Sequence, residues 1–396
     1  MIVYIFLNGV MVMAKFYWDE NILRAEAQKL LKLIERESDP KERRHLAEYY
    51  DALNSTIYDY FIMPTVNTPL STRIHNMYST FISSQRYYML MDSFIDPMEK
   101  HLKLYSETCD NQELLEKKIS KVSGVYVSKE KAVSICYGFY RDLDDELFKY
   151  FKPLFNKRFS HIHFTDKAKE SGTTITKGQS YYLLGLDTSY VEVVGSDNPD
   201  MALTLIHECG HVIDDSYNPE SNLVEDNFYE VVSLFMELVA NYREVGKFGT
   251  LYHHSNIINR LSSIYSDAND CVNYDMLMGH YRNNGYRINK DFFRRAKEED
   301  GFTKEEIVET LCEDTPNNIV YPISMSLALY FFSIYKRDNK LGLMTLKDFM
   351  STTDRDSYIP LLSDDNFLDV VSKEIELLLL SSNETFKQEL ETGRRL

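Results

Sequence analysis

The chain has 396 residues, of which 44% are hydrophobic and 27% are charged, as in an ordinary globular protein. Its 44 basic and 61 acidic side chains give a net charge of −17, which argues against nucleic acid or an anionic membrane surface as the main partner. The five cysteines are scattered and form no CxxC pair. That pattern argues against a disulfide framework and favours a cytoplasmic location.

The chain opens with an apolar run, MIVYIFLNGVMVMA, which is too short to span a bilayer and lacks the basic start of a signal peptide. The segment MAKFYWDE is typical of a soluble N-terminus, so we expect the natural start at Met11 or Met13. Helical periodicity follows from residue 19 to about residue 155. Within that stretch a helix break is expected near Pro97.

The sequence changes character near residue 159, where β-branched and aromatic runs are separated by glycines. These runs are SHIHF, TTITKGQSYYLLGL and SYVEVVG. They predict a small antiparallel sheet that ends just before residue 198. Helical patterns then return and continue to the end, so the sequence predicts a mainly α protein with one small sheet.

A histidine motif follows the sheet directly. The segment NPDMALTLIHECGHVIDD predicts a helix over 199–216, with a proline in its first turn. On that helix His207 and His211 stand four residues apart and lie on one face. Both can offer imidazole nitrogens to one zinc ion. Glu208 is rotated from His207 by about 100°, so it can act as a base on water at the metal rather than as a ligand.

Chance is a poor explanation of this motif. Random placement of HExxH is expected about 0.02 times in a chain of this composition. The alternative is a solvated helix face that carries two histidines and a glutamate. However, the flanking residues are apolar and indicate a buried helix, in which imidazoles and carboxylates need partners. The motif therefore predicts a metal site.

The next predicted helix, 222–245, carries a polar stripe on an otherwise apolar surface. The members of the stripe are Asp226, Glu230, Ser233, Glu237 and Asn241. A catalytic zinc needs a third protein ligand, and Glu230 is predicted to be that ligand. Glu237, Asp226 and Ser233 are predicted to surround the ligands, with Glu237 or Asp226 accepting a hydrogen bond from the far N–H of a ligating histidine. The alternative is that the stripe is the only solvated face of the helix.

These two motifs together resemble a known family. HECGH followed by EVVSLFME, from Glu230 to Glu237, resembles the zinc oligopeptidases of the thimet oligopeptidase and oligoendopeptidase F family. The resemblance runs from about residue 125 to the end of the chain. It implies a large helical metallopeptidase fold with a deep substrate cleft and one zinc ion per chain. It also implies a helical N-terminal region over 1–125 and a catalytic region over 126–396.

The resemblance implies further roles. The strand before the histidine helix would be an edge strand that binds the substrate backbone, and its residues are Tyr190, Glu192, Val194 and Gly195. A tyrosine of the C-terminal segment would stabilise the oxyanion, and Tyr321 is the candidate, with Tyr281 and Tyr286 as alternatives. The chain departs from the family in its shorter length and in a shorter gap between His211 and Glu230.

The function expected from these features is a zinc-dependent metalloendopeptidase that hydrolyses short unstructured peptides in the cytoplasm, with Glu208 as the base. Its partners would be peptides, without nucleic acid or membrane. A zinc carboxypeptidase of related fold is an alternative, in which Arg282 or Arg287 would bind the terminal carboxylate. A peptide-binding protein that keeps zinc but turns over weakly is a second alternative.

Overall fold

The computed structural model describes most of the chain. It covers residues 2–393 except for 8–9, 16–19, 58–80, 82–83, 109–111, 156–161, 166–176, 184–187, 219–227, 286 and 313–318. The predictions made for Asp226 and Tyr286 therefore lie outside the described residues.

The described chain is mostly helical, which confirms the predicted class. The helices are α1 (Glu20–Arg36), α2 (Pro40–Ile57), α3 (Gln85–Thr108), α4 (Gln112–Ser123), α5 (Lys129–Leu143), α6 (Asp145–Phe151), α7 (Pro199–Tyr217), α8 (Val231–Tyr242), α9 (Thr250–Asn283), α10 (Lys290–Asp300), α11 (Lys304–Cys312), α12 (Val320–Arg337), α13 (Asn339–Ser351), α14 (Ile359–Leu362) and α15 (Asp365–Gly393). Within the described ranges, none of these helices is both long enough and apolar enough to cross a membrane.

In the described part of the chain, two small sheets accompany the helices. An antiparallel pair, β1 (Ile2–Leu7) and β2 (Val10–Lys15), begins the chain. The second sheet has the order β3 (Ile162–Thr165), β5 (Thr188–Val194) and β4 (Gly178–Leu183). β5 pairs antiparallel with β4 but parallel with β3, so the sheet is mixed rather than antiparallel. The alternating sequence pattern predicts strands but cannot tell on which side of β5 each neighbour pairs.

The prediction that the strand before the histidine helix is an edge strand is wrong. β5 is the central strand, and both of its sides are paired: the Val194 N–H donates to the Lys177 carbonyl (2.9 Å) and the Gly195 N–H donates to the Thr165 carbonyl (2.8 Å). Its strongly β-forming residues suit a strand that is buried on both faces. In the described sheet the edge beside α7 belongs to β4.

The side chains of β5 confirm its structural position. Tyr190 is fully buried and Glu192 is only 1% exposed. The Glu192 carboxylate lies 3.3 Å from the guanidinium of Arg44 on α2. A buried carboxylate requires such a partner. The backbone and the carboxylate of this strand therefore hold the fold together and are not presented to a substrate.

One large hydrophobic core joins most of the helices. α8 lies in it with nearly every residue buried, and it packs against α7 and α12. α3 packs against α9 and α15, so the core runs across the predicted boundary at residue 125. α3 also continues through Pro97 without the expected break. Phe94 and Met98, both fully buried on either side of the proline, hold the helix in place.

Candidate metal centre

Helix α7 carries the histidine motif and starts as its sequence predicts. The Asn198 side chain caps it by accepting a hydrogen bond from the Asp200 N–H (3.1 Å), and Pro199 occupies the first turn. Most of the helix is buried. Tyr140 of α5 donates a hydrogen bond to the Ile206 carbonyl (2.6 Å), which attaches the helix to its neighbour one residue before the first histidine.

A close helix crossing brings the second motif to the first. A Cβ atom at Gly210 would lie 2.8 Å from the Cα atom of Ser233 on α8. The two backbones are therefore in near contact, which only glycine permits at this position. Ser233, predicted to surround the ligands, is fully buried at this crossing.

The helix that carries the third predicted ligand begins later than expected. α8 starts at Val231, and Glu230 stands at its N-cap after a turn over residues 228–230. The prediction of a continuous helix through Glu230 is therefore wrong. Phe228 is fully buried, and the turn that buries it leaves Tyr229 and Glu230 both facing the cleft beside α7.

The structure brings the three predicted ligands together. One ligand atom from each of His207, His211 and Glu230 lies within 4.8 Å of the others. Oε2 of Glu230 is 3.3 Å from Nε2 of His207 and 3.6 Å from Nε2 of His211. These separations exceed the 2.7–2.9 Å or so of a charge-assisted hydrogen bond, and the buried Oε2 atom makes no hydrogen bond of normal geometry. Two imidazole nitrogens and one carboxylate oxygen thus fit a metal ion.

The charges at the site favour a cation. Burial lowers the pKa of His207, but the carboxylates of Glu237 and Glu230 outweigh it and raise that pKa to about 10. Burial raises the pKa of Glu230, but His211 and His207 outweigh it and hold that pKa well below its usual range. Because the carboxylates need nearby positive charge, a divalent ion can replace the protons on the two imidazoles.

Glu237 lies at the far side of His207, where the sequence analysis expects an acceptor for the second ring nitrogen. Its Oε1 atom lies 2.8 Å from Nδ1 of His207. Arg260 of α9 donates from Nε to Oε2 of Glu237 (2.8 Å), and its Nη2 atom contacts Oε1. The sequence analysis missed Arg260, because a single arginine within a long helix gives no local signal of the residue it pairs with.

The side chain of Glu208 extends from α7 toward the edge strand β4. Burial raises the pKa of its carboxyl. A Cβ atom at Gly178 would lie 2.7 Å from Oε1 of Glu208, so the absence of a side chain at Gly178 allows the carboxylate to approach the strand. The predicted base therefore lies beside the backbone of β4.

These groups line a cleft of about 470 Å³. Its described lining consists of Lys177, Gly178, Gln179 and Ser180 at β4, Thr204, His207, Glu208 and His211 on α7, Tyr229, Glu230 and Glu237 at α8, Arg260 on α9 and Tyr321 on α12. The cleft thus has the candidate metal ligands on one wall and an edge strand on another.

The predicted tyrosines have different positions. Tyr321 lines the cleft, and the Glu230 carboxylate together with burial raises its pKa to about 12. Tyr281 packs instead in a separate hydrophobic cluster with Leu277 and Phe292 and is not part of the described cleft lining. Tyr229 was missed by the sequence analysis. Its position directly before Glu230 is the one signal that could have identified it.

The fold resembles structures that are named as peptidases, although no family model and no curated protein matches the chain. A structure named as an oligoendopeptidase F from Bacillus anthracis strain Ames is 14% identical, with a TM-score of 0.53, over 92% of this chain and 75% of that chain. A second oligoendopeptidase F structure is 13% identical, with a TM-score of 0.50, over 91% and 75%. A structure named as a peptidase from Chlamydophila abortus is 12% identical, with a TM-score of 0.52, over 92% of this chain and 63% of that chain. The chain therefore has an oligoendopeptidase F-like fold.

Proposed function

We propose that the chain is a zinc-dependent metalloendopeptidase that hydrolyses short unstructured peptides in the cytoplasm. The observation that carries this proposal is the convergence of His207, His211 and Glu230 in the cleft, with Glu208 next to them. The ligand set of two histidines and one glutamate is typical of catalytic zinc. The peptidase names of the structural neighbours support the same reaction class.

The side chains of the cleft have distinct roles in this proposal. His207, His211 and Glu230 would hold the zinc ion, which would supply Lewis acidity in the cleft. Glu208, whose carboxyl pKa is raised by burial, takes a proton from the attacking water and passes it to the leaving nitrogen. Tyr321, whose pKa is about 12, stays protonated and donates a hydrogen bond to the oxyanion.

The substrate backbone is proposed to bind to β4 rather than to β5. β4 is an edge strand of the described sheet, and its residues Gly178 to Ser180 line the cleft. An extended peptide can add to such an edge by main-chain hydrogen bonds. Because only an extended segment can do so, we expect cleavage of unstructured peptides and little attack on folded proteins.

The carboxypeptidase alternative has less support. Arg282 and Arg287, the predicted anchors for a terminal carboxylate, are exposed and are not part of the described cleft lining. Arg260 lines the cleft, but its guanidinium contacts both carboxylate oxygens of Glu237. The cleft arginine is thus already paired with an acidic side chain, which leaves Lys177 as the side chain of the described lining that could meet a terminal carboxylate.

The proposal is tested with quenched fluorescent peptides whose two ends are blocked. Protein purified without chelator should contain about one zinc per chain and should cleave these peptides. Chelation should abolish cleavage, and added zinc should restore it. Cleavage of peptides with free C-termini only would indicate the carboxypeptidase. Full zinc content without cleavage of any peptide would indicate the zinc-retaining binding protein. A protein that neither contains zinc nor cleaves any peptide would refute a metallopeptidase.

A further inference from the structure

Tyr229 contacts one of the candidate metal ligands through its aromatic face. Its ring centroid lies 4.2 Å from that of the His211 imidazole, and the two planes are only 13° apart. The next residue along the chain is Glu230, a second candidate ligand. A flat ring stacked on an imidazole restricts the rotation of that imidazole about its χ2 angle. Tyr229 therefore limits where the Nε2 atom of His211 can point.

The same ring also faces the cleft. Tyr229 is 37% exposed, whereas His211 and Glu230 on either side of it are only 3% and 8% exposed. Because Tyr229 is part of the cleft lining, its exposed surface is available to a bound molecule. A large amphipathic ring that is open to a cleft is well suited to contact a substrate side chain.

The edge strand fixes where such a contact would fall. Ser180 of β4 and Tyr229 line the same cleft, and Glu208 lies between the strand and the metal ligands. A peptide paired with β4 would therefore run along the cleft that Glu208 and Tyr229 also line. A side chain next to the bond that is cleaved would meet the exposed part of the Tyr229 ring.

We propose that Tyr229 is a positioning and specificity-determining residue. Its ring fixes the His211 imidazole, and its exposed surface selects peptides with an aromatic side chain next to the cleaved bond. This inference rests on the proposed peptidase function. Aromatic rings prefer offset-stacked or edge-to-face contacts. The energy of one such contact corresponds to a kcat/KM that is roughly 3- to 10-fold higher for phenylalanine than for a non-aromatic side chain of similar size.

The test compares Tyr229→Leu with Tyr229→Phe. The panel consists of blocked peptides that differ only in having phenylalanine, leucine or alanine on either side of the cleaved bond. We expect Tyr229→Leu to reduce the phenylalanine-to-leucine ratio of kcat/KM to near one. Tyr229→Phe should keep that ratio, since it keeps the ring. Tyr242→Leu, at the exposed far end of α8, is the matched control and should behave as the wild type.

Zinc affinity, measured by competition with a chromogenic chelator, provides a readout that does not depend on turnover. Tyr229→Leu should bind zinc several-fold more weakly than Tyr229→Phe, because only leucine removes the ring from His211. An unchanged peptide preference together with unchanged zinc affinity in Tyr229→Leu would overturn the role of Tyr229 alone. A loss in Tyr229→Phe as large as in Tyr229→Leu would also overturn it, since the hydroxyl and not the ring would then be responsible. A wild-type protein that cleaves no peptide would refute the proposed function and the peptide preference together.

Discussion

Arg260 contacts both carboxylate oxygens of Glu237, and that carboxylate lies 2.8 Å from Nδ1 of His207. The three side chains come from α9, α8 and α7, and they form a continuous series of polar contacts that ends at the candidate metal ligand His207. Burial raises the pKa of Glu237, but Arg260 and His207 outweigh it and lower that pKa to about 2. Glu237 is therefore ionised and held in one orientation, which in turn orients the His207 ring.

The first prediction concerns Arg260. Arg260→Gln leaves the buried Glu237 carboxylate without its cation, so the carboxylate no longer holds the His207 imidazole. We expect zinc affinity to fall by about 10- to 100-fold, the usual effect of losing such a partner. Arg260→Lys should lose less, because it keeps the charge but cannot contact both oxygens. The measurement is chelator competition, with Arg243→Gln as a control whose exposed guanidinium contacts the Asp142 carbonyl (3.4 Å) and not Glu237. If Arg260→Gln binds zinc with wild-type affinity, the Glu237 carboxylate does not need Arg260 to hold the His207 imidazole.

The second prediction concerns the crossing of α7 and α8. Gly210→Ala places a Cβ atom 2.8 Å from the Cα atom of Ser233, and backbone cannot move aside as a side chain can. We expect a loss of about 1–3 kcal/mol in the free energy of unfolding, as for other overpacked cores, together with weaker zinc binding. Gly138→Ala in α5 is the matched control, because a Cβ atom there would meet nothing within 4 Å. That variant should be neutral or slightly stabilised. Equal stability of the two variants would contradict the close crossing.

The sequence predicts the parts of the site that follow from local periodicity. His207 and His211 are four residues apart on one helix, and Glu237 follows Glu230 by about two turns, so their common faces are visible without a structure. The order of the strands is not visible in this way, because it depends on pairing between distant segments. The edge position that the family resemblance implies for β5 belongs to β4 instead. The sequence analysis also missed Arg260 and Tyr229. Each contacts a side chain on a different element, Glu237 and His211 respectively, and local periodicity does not show such contacts.

The third prediction concerns His253, which is 2% exposed. Asn241 donates from Nδ2 to the Glu237 carbonyl and to Asn256, so its Oδ1 atom is the acceptor for the Nδ1–H of His253 (3.1 Å). The Nε2 atom is then unprotonated, and it is buried without a hydrogen-bond partner in the described structure. Burial accordingly lowers the pKa of His253 from 6.5 to about 4.

This shift makes the stability dependent on pH. Between pH 6.5 and pH 4 the unfolded chain binds a proton at His253 that the folded chain does not, so the free energy of unfolding falls as the pH falls through this window. The full effect is up to about 3 kcal/mol. His253→Gln should remove this part of the pH dependence, as measured by chemical denaturation at pH 7 and pH 4.5. His45→Gln, at an exposed histidine, should keep the wild-type dependence. If His253→Gln also keeps it, other groups cause the acid sensitivity.

The last prediction separates Glu208 from Glu230. Glu208 lies beside the backbone of β4, where Gly178 makes room for it, whereas Glu230 faces Nε2 of both histidines. Glu208→Gln should keep zinc and peptide binding but lose turnover by at least roughly 10²–10⁴-fold, since it lacks a base. Glu230→Gln removes an anionic ligand, so zinc should bind more weakly and activity should fall with it. Because the two defects differ, excess zinc should partly restore Glu230→Gln and never Glu208→Gln. A zinc titration of both variants against peptide hydrolysis decides this, and rescue of Glu208→Gln by zinc would mean that base and ligand have been assigned the wrong way round.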